Sequence, residues 1–312
     1  MIGEKTRLAA SLRALLAATV DYAGLFPPAT LALEPALGNY AEYLRSDDAW
    51  MLGAFVLPVE QFSAAEGHLD LFSSSHALRI SALGKRSESA DSFSGTLAGY
   101  ARMMAEWTGK HRGRVIVPQL EMPLPPEFDD SIFVAARSLV EPLKLQAFWE
   151  APADRAEEAI ATLARHNASH PSRPFGYKLR TGGTSADAFP KSVQIARALV
   201  AATKSKVPIK FTAGLHHPVR LFHDSVQTKM HGFLNVLGAG IFASEAGWGI
   251  EQTTQMLEDE DAHCFGFTDG CMTWRNQVVP TERIAAHRAL ITSFGSCSFD
   301  EPREDLRALN LL

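Results

Sequence analysis

FGYKLRTGG (175–183) and VPIKFTAGLHHPVRLFHD (207–224) share one plan: an apolar run with a lysine set into it, then a turn built from Thr, Ala and Gly. Side chains alternate faces along a strand. Lys178 and Arg180 therefore share a face of the first run, and Lys210 and Thr212 share a face of the second. A helical stretch at 186–204 lies between them. Strand, helix, strand at this spacing is one step of a parallel sheet with crossover helices.

The same alternation extends in both directions. Strand candidates fall at 51–58, 77–83, 114–121, 144–150, 175–180 and 208–214, with two weaker ones at 233–240 and 263–269. Helical patterns fall at 60–72, 91–109, 127–141, 154–167, 186–204, 219–230, 250–259 and 281–292. Eight such units close into an α/β fold of the (β/α)8, TIM-barrel type, and 312 residues suit one barrel. The stretch MHGFLNVLGAGIFASEAG reads equally as a strand or a buried helix around 231–242. Leu8, Leu12, Leu15 and Leu16 share one helical face, which adds an N-terminal helix. The expected organisation is a single domain over 1–312: an N-terminal helix and loop extension at 1–45, the barrel at 50–295 and a C-terminal tail at 296–312.

Composition narrows the function classes. Hydrophobic residues make up 46% and charged residues 21%, with a formal net charge of −5 and no basic run. Neither a nucleic-acid nor a membrane partner is expected. No apolar run approaches the roughly 18 residues of a membrane span. Cys264, Cys271 and Cys297 are odd in number and lack CxxC spacing, so free thiols in a reducing, cytoplasmic setting are expected. The sequence leaves a homo-oligomer open.

In a parallel barrel, ligands bind at the carboxyl ends of the strands. There the sequence places Glu121, Glu150, Lys178, Arg180, Lys210, Thr212 and the pair His216-His217. Burial disfavours a charged lysine, and a second ammonium nearby pushes the same way. A neutral amine is a nucleophile that forms a Schiff base with a carbonyl. The competing reading pairs each lysine with a carboxylate such as Glu121 or Glu150. Gly182-Gly183, followed by Thr184 or Ser185 as a helix cap, would offer backbone N–H groups to an anion beside Arg180. The histidines suit acid–base use. Alternatively His216, His217 and His231, with Glu121 or Asp224, would hold a divalent metal such as Zn or Mn.

YKLRTGG and PIKFTAGLHH resemble the Schiff-base (class I) aldolases of the deoxyribose-phosphate aldolase type over about residues 175–217. The resemblance implies a TIM barrel, Lys178 as the imine-forming nucleophile and Lys210 as the neighbour that lowers its pKa; on this reading no cofactor is expected. It also places Glu150, by strand order, where the family has an acidic proton-relay residue. His216-His217-Pro218 has no counterpart there. GLHHP, MHGFLNVL and FGSCSFDEP are also similar to segments of a bacterial protein group from which no activity can be carried over. The expected function is an aldolase-like lyase acting on a small anionic carbonyl compound, phosphate or carboxylate alike. The alternatives are a metal-dependent hydrolase or lyase and a non-catalytic anion-binding barrel.

Overall fold

Eight parallel strands pair edge to edge until the sheet meets itself, in the order β1-β2-β3-β4-β5-β6-β7-β13 and back to β1. They are β1 Val20–Tyr22, β2 Leu52–Pro58, β3 Leu78–Leu83, β4 Val115–Pro123, β5 Gln146–Glu150, β6 Gly176–Arg180, β7 Ile209–Thr212 and β13 Ile291–Ser296 in this computed structural model, which describes residues 8–312. Two smaller sheets stand outside the barrel: a hairpin of β8 Leu221–His223 and β9 Thr228–Met230, and an antiparallel set of β10 Phe265–Phe267, β11 Cys271–Trp274 and β12 Gln277–Pro280.

Parallel neighbours need crossovers, and helices supply them. In chain order these are α1 Ala10–Leu16, α2 Leu33–Tyr43, α3 Phe62–Ala65, α4 Ala90–Lys110, α5 Asp130–Val140, α6 Ala156–Ala168, α7 Ser192–Ser205, α8 Phe233–Ala246, α9 Ile250–Leu257, α10 Thr281–His287 and α11 Asp300–Ala308. Most turn one apolar stripe to the sheet; in α4 this holds Phe93, Leu97, Tyr100, Met104 and Trp107. No helix among the described residues is long and apolar enough to cross a membrane.

The (β/α)8 class is as expected, but five elements differ from the sequence reading. The run at 233–240 is helix, not strand: α8 is buried over most of its surface, so its apolar run lacks the one-sided pattern that marks a surface helix. It begins after Gly232 and ends at Gly247, whose φ of +65° suits a glycine C-cap. The helix expected at 219–230 is the β8–β9 hairpin. The strand expected at 263–269 shrinks to β10 and pairs outside the barrel. The eighth barrel strand is β13, overlapping a helical pattern drawn too far, to 292. The barrel also opens earlier than residue 50, because β1 pairs with both β13 and β2.

Asn235, fully buried in α8, joins these pieces. Its Oδ1 accepts from the Arg220 N–H at 2.9 Å, and its Nδ2 donates to the carbonyls of Met256 at 2.7 Å and Asp259 at 2.8 Å. Each buried group left unpaired costs about 1–3 kcal/mol. Asn235→Ala should therefore lower unfolding stability by about 2–4 kcal/mol in urea titration. Val134→Ala, on an exposed helix position, should leave it within about 0.5 kcal/mol.

Candidate active site

Register decides which charges meet. Glu150 pairs with Lys178 across β5–β6, and Lys178 pairs with Lys210 across β6–β7, so all three lie at one level of the barrel. Lys178 Nζ lies 2.8 Å from Glu121 Oε2 and 3.0 Å from Glu150 Oε2. Lys210 Nζ lies 2.6 Å from Glu121 Oε1 and 2.5 Å from Asp21 Oδ2. Three carboxylates thus interleave with two ammonium groups. Ser81 donates to Glu121, Ser293 and Gln119 donate to Asp21 at 2.7 and 3.0 Å, and the Ala54 N–H donates to Asp21 at 2.6 Å. A Cβ on Gly53 would fall 2.3 Å from Asp21 Oδ1, so β2 needs glycine there for Asp21 to hold its place.

Electrostatics follow from this pairing. Burial alone would push the Lys178 ammonium down, as the sequence reading expected, but Glu121 and Glu150 outweigh it and hold its pKa above the usual lysine range. Burial alone would likewise push Glu121 up; Lys178 and Lys210 reverse this and hold its carboxyl well below the usual range. Lys178 therefore rests as an ammonium. Lys210 does not act on it as a bare second cation, because Glu121 lies between them.

The two lysines differ in access. A cavity of about 330 Å³ opens at the carboxyl ends of the strands, with Glu121, Glu150 and Lys178 in its lining. Lys178 is 4% exposed, whereas Lys210 is 0% exposed and lies outside the lining. Arg180, Gly183, Thr184, Thr212 and His216 also border the cavity. Arg180 is exposed, and no ion pair engages it among the described residues.

Other expected site residues separate. Gly182 lies outside the cavity lining. A Cβ there would come 2.9 Å from Gly214 Cα, so it serves the close approach of the turns after β6 and β7. No long helix starts directly after Gly183. A short 3-10 turn at Ala186–Ala188 intervenes, and α7 begins only at Ser192, so a helix N-terminus does not back the Gly-Gly turn.

The adjacent histidines diverge. His216 lines the cavity, and its Nδ1 lies 2.9 Å from Glu301 Oε2 on α11. Glu301 is held below the usual carboxylate range chiefly by that hydrogen bond. As an ionised carboxylate only accepts, His216 Nδ1 carries the proton and Nε2 remains for the cavity. His217 turns away to Asp305 at 2.7 Å and stacks on His223. His231 donates from Nε2 to the Pro190 carbonyl at 2.8 Å and accepts from Arg220 at Nδ1, and burial lowers its pKa to about 4. His216, His217 and His231 thus do not form the expected ligand set, and no group of three His, Cys, Asp or Glu able to hold a metal occurs among the described residues.

Asp21 and Glu301 escaped sequence reasoning. Asp21 sits in a strand of three residues, too short to show alternation, inside a segment read as loop. The Gly24 and Pro27-Pro28 that follow it were the available signal of a strand end. Glu301 belongs to the expected C-terminal tail and reaches the site only through folding.

No protein-family model matches the sequence, and comparison with curated proteins gives no match. Among solved structures the chain is similar to a deoxyribose phosphate aldolase from Aeropyrum pernix, described as a unique tetramer. The two share 10% identity and a TM-score of 0.47 over 96% of this chain and 98% of that one. It is also similar to a GH10 endoxylanase retrieved from a sugarcane soil metagenome, at 12% identity and a TM-score of 0.41 over 70% and 74% of the respective chains. At these values the fold rests on the strand pairing itself.

Removing one member of a buried ion pair costs about 3–5 kcal/mol, so Glu121→Gln should lose about that much at pH 7. The pH dependence follows from the direction of each shift. Glu121 has a depressed folded pKa, so its contribution is present above the unfolded value near 4.5 and is lost as pH falls through the folded value. Lys178 has a raised one, so its contribution is present below 10.5 and is lost as pH rises through the folded value. Denaturant unfolding from pH 3 to 8 should show the gap between wild type and Glu121→Gln narrowing below about pH 4.5.

Proposed function

We propose that this chain is a barrel enzyme that acts on a small anionic carbonyl compound through a Schiff base on Lys178, as aldolases do. The observation that carries this reading is the unequal access of the two interior lysines: Lys178 opens on the cavity beside Glu150, while Lys210 is sealed beneath. Arg180, with Thr184 and Gly183 beside it, would hold the acidic group of the substrate.

Lys178 rests as an ammonium, so the first step is proton transfer to Glu150. The free amine then adds to the carbonyl carbon. The added nitrogen passes one proton to the former carbonyl oxygen, and Glu150 returns the one it took, so that oxygen leaves as water. The product is an iminium: the ammonium nitrogen exchanges two N–H bonds for one C=N bond and keeps its positive charge. Glu121 can therefore pair with Nζ before and after the reaction. Cleavage of the carbon–carbon bond next to the iminium moves its electron pair toward that nitrogen, while a base takes the proton from the departing hydroxyl. No cofactor enters these steps.

Borohydride reduction after incubation with a panel of aldehydes and oxo acids should add the mass of the reduced carbonyl compound to the peptide containing Lys178, and to none containing Lys210. Lys178→Ala should abolish the adduct. Glu150→Gln should slow its formation by about 10²–10⁴-fold, the usual worth of a general acid–base. Binding of an anion with no adduct at any lysine would instead favour the non-catalytic anion-binding barrel.

A further inference from the structure

The wall of the cavity changes character around the barrel. From β4 to β7 it presents the charged and hydroxyl groups described above. Across the mouth, the arc from β1 to β3 and the end of β4 presents Phe26, Pro27, Pro28, Val56, Leu83 and Pro123. All but Val56 retain solvent exposure, so the arc is an uncovered apolar surface facing the only lysine that opens on the cavity among the described residues.

The backbone of this arc has few donors to offer. Pro27, Pro28 and Pro123 have no N–H. The N–H groups of Ala23, Phe26 and Gly84 are committed to the carbonyls of Ser296, Ala23 and Glu121, at 2.7, 2.9 and 2.8 Å. Val56 and Leu83 belong to the paired strands β2 and β3. A hydroxylated substrate tail placed here would give up its hydrogen bonds to water and find no donor in exchange, at a cost that polar burial always carries. A hydrocarbon tail would gain by covering the arc. The cavity has room for roughly ten water-sized groups, enough for an acid group, a carbonyl and a short alkyl or aryl end.

We infer that the substrate class is a carbonyl acid with a hydrocarbon end: acid group toward Arg180, carbonyl at Lys178, alkyl or aryl tail against Phe26, Pro27-Pro28 and Leu83, in place of a polyhydroxylated sugar chain. This inference rests on the Schiff-base reading for the position of the carbonyl, while the polarity of the two walls stands without it.

The test uses three oxo acids that differ only beyond the carbonyl: pyruvate, phenylpyruvate and ketogluconate. Titration calorimetry on the wild-type chain reads binding, and borohydride trapping on the same samples reads imine formation. Phenylpyruvate should bind at least about tenfold tighter than pyruvate, as burial of an aromatic side group implies, and ketogluconate no tighter than pyruvate. Phe26→Ala should remove most of the phenylpyruvate advantage over pyruvate. Binding of ketogluconate as tight as or tighter than that of phenylpyruvate, no advantage for phenylpyruvate over pyruvate, or no binding of phenylpyruvate would each overturn the inference. The tail preference without any adduct would keep the inference and remove the imine. Adducts without the preference would do the reverse.

Discussion

Glu121 gives one carboxylate oxygen to Lys178 and the other to Lys210. Around this bridge the other interior charges find their places, with Asp21 beyond Lys210 and Glu150 beyond Lys178. The arrangement is demanding, since every charge lies in a barrel interior where an uncompensated ion costs several kcal/mol. Hydrocarbon of the same volume often serves stability equally well or better. Stability alone is therefore a weak reason for five ionisable groups to stand at the level of a cavity.

The bridge also divides labour between two side chains that look equivalent along the strand. Lys210 is enclosed by Asp21 and Glu121 and serves as a fixed counter-charge. Lys178 shares Glu121 but has its second partner, Glu150, at the cavity wall. Glu121 and Glu150 both border the cavity, but of the two lysines only Lys178 does so itself, while Lys210 and Asp21 lie outside the lining. The His216–Glu301 pair borders the same cavity from the β7 side, with α11 supplying the carboxylate that sets the imidazole tautomer.

Much of this was legible in the sequence because strand period and chemistry coincide. Glu150, Lys178 and Lys210 occupy strand positions whose alternation puts them inside, and the spacing of Lys178 and Lys210 is one crossover unit. The competing possibility, that each lysine pairs with a carboxylate, also describes the resting geometry. Other features were hidden for physical reasons. Val20–Tyr22 is too short for any pattern, so Asp21 passed as loop. The surface of α8 is almost wholly buried, which removes the stripe by which helices are recognised. The metal alternative rested on residue type alone: Arg220 and the Pro190 carbonyl engage both ring nitrogens of His231, and His217 turns to Asp305 while His216 borders the cavity. The apolar arc at the mouth could not be read ahead, because its six residues come from four separate segments.

The ion pair between Asp21 and Lys210 joins residues 189 positions apart. A chain that has assembled only β1 to β5 would hold Asp21, Glu121 and Glu150 together with neither lysine to offset them. Mutual repulsion then opposes half-barrels as resting states. The last strand must also insert between β1 and β7 to close the sheet. Folding should thus be strongly cooperative and slow, governed by contacts distant along the chain. The same charges that equip the cavity also penalise incomplete versions of the barrel around it.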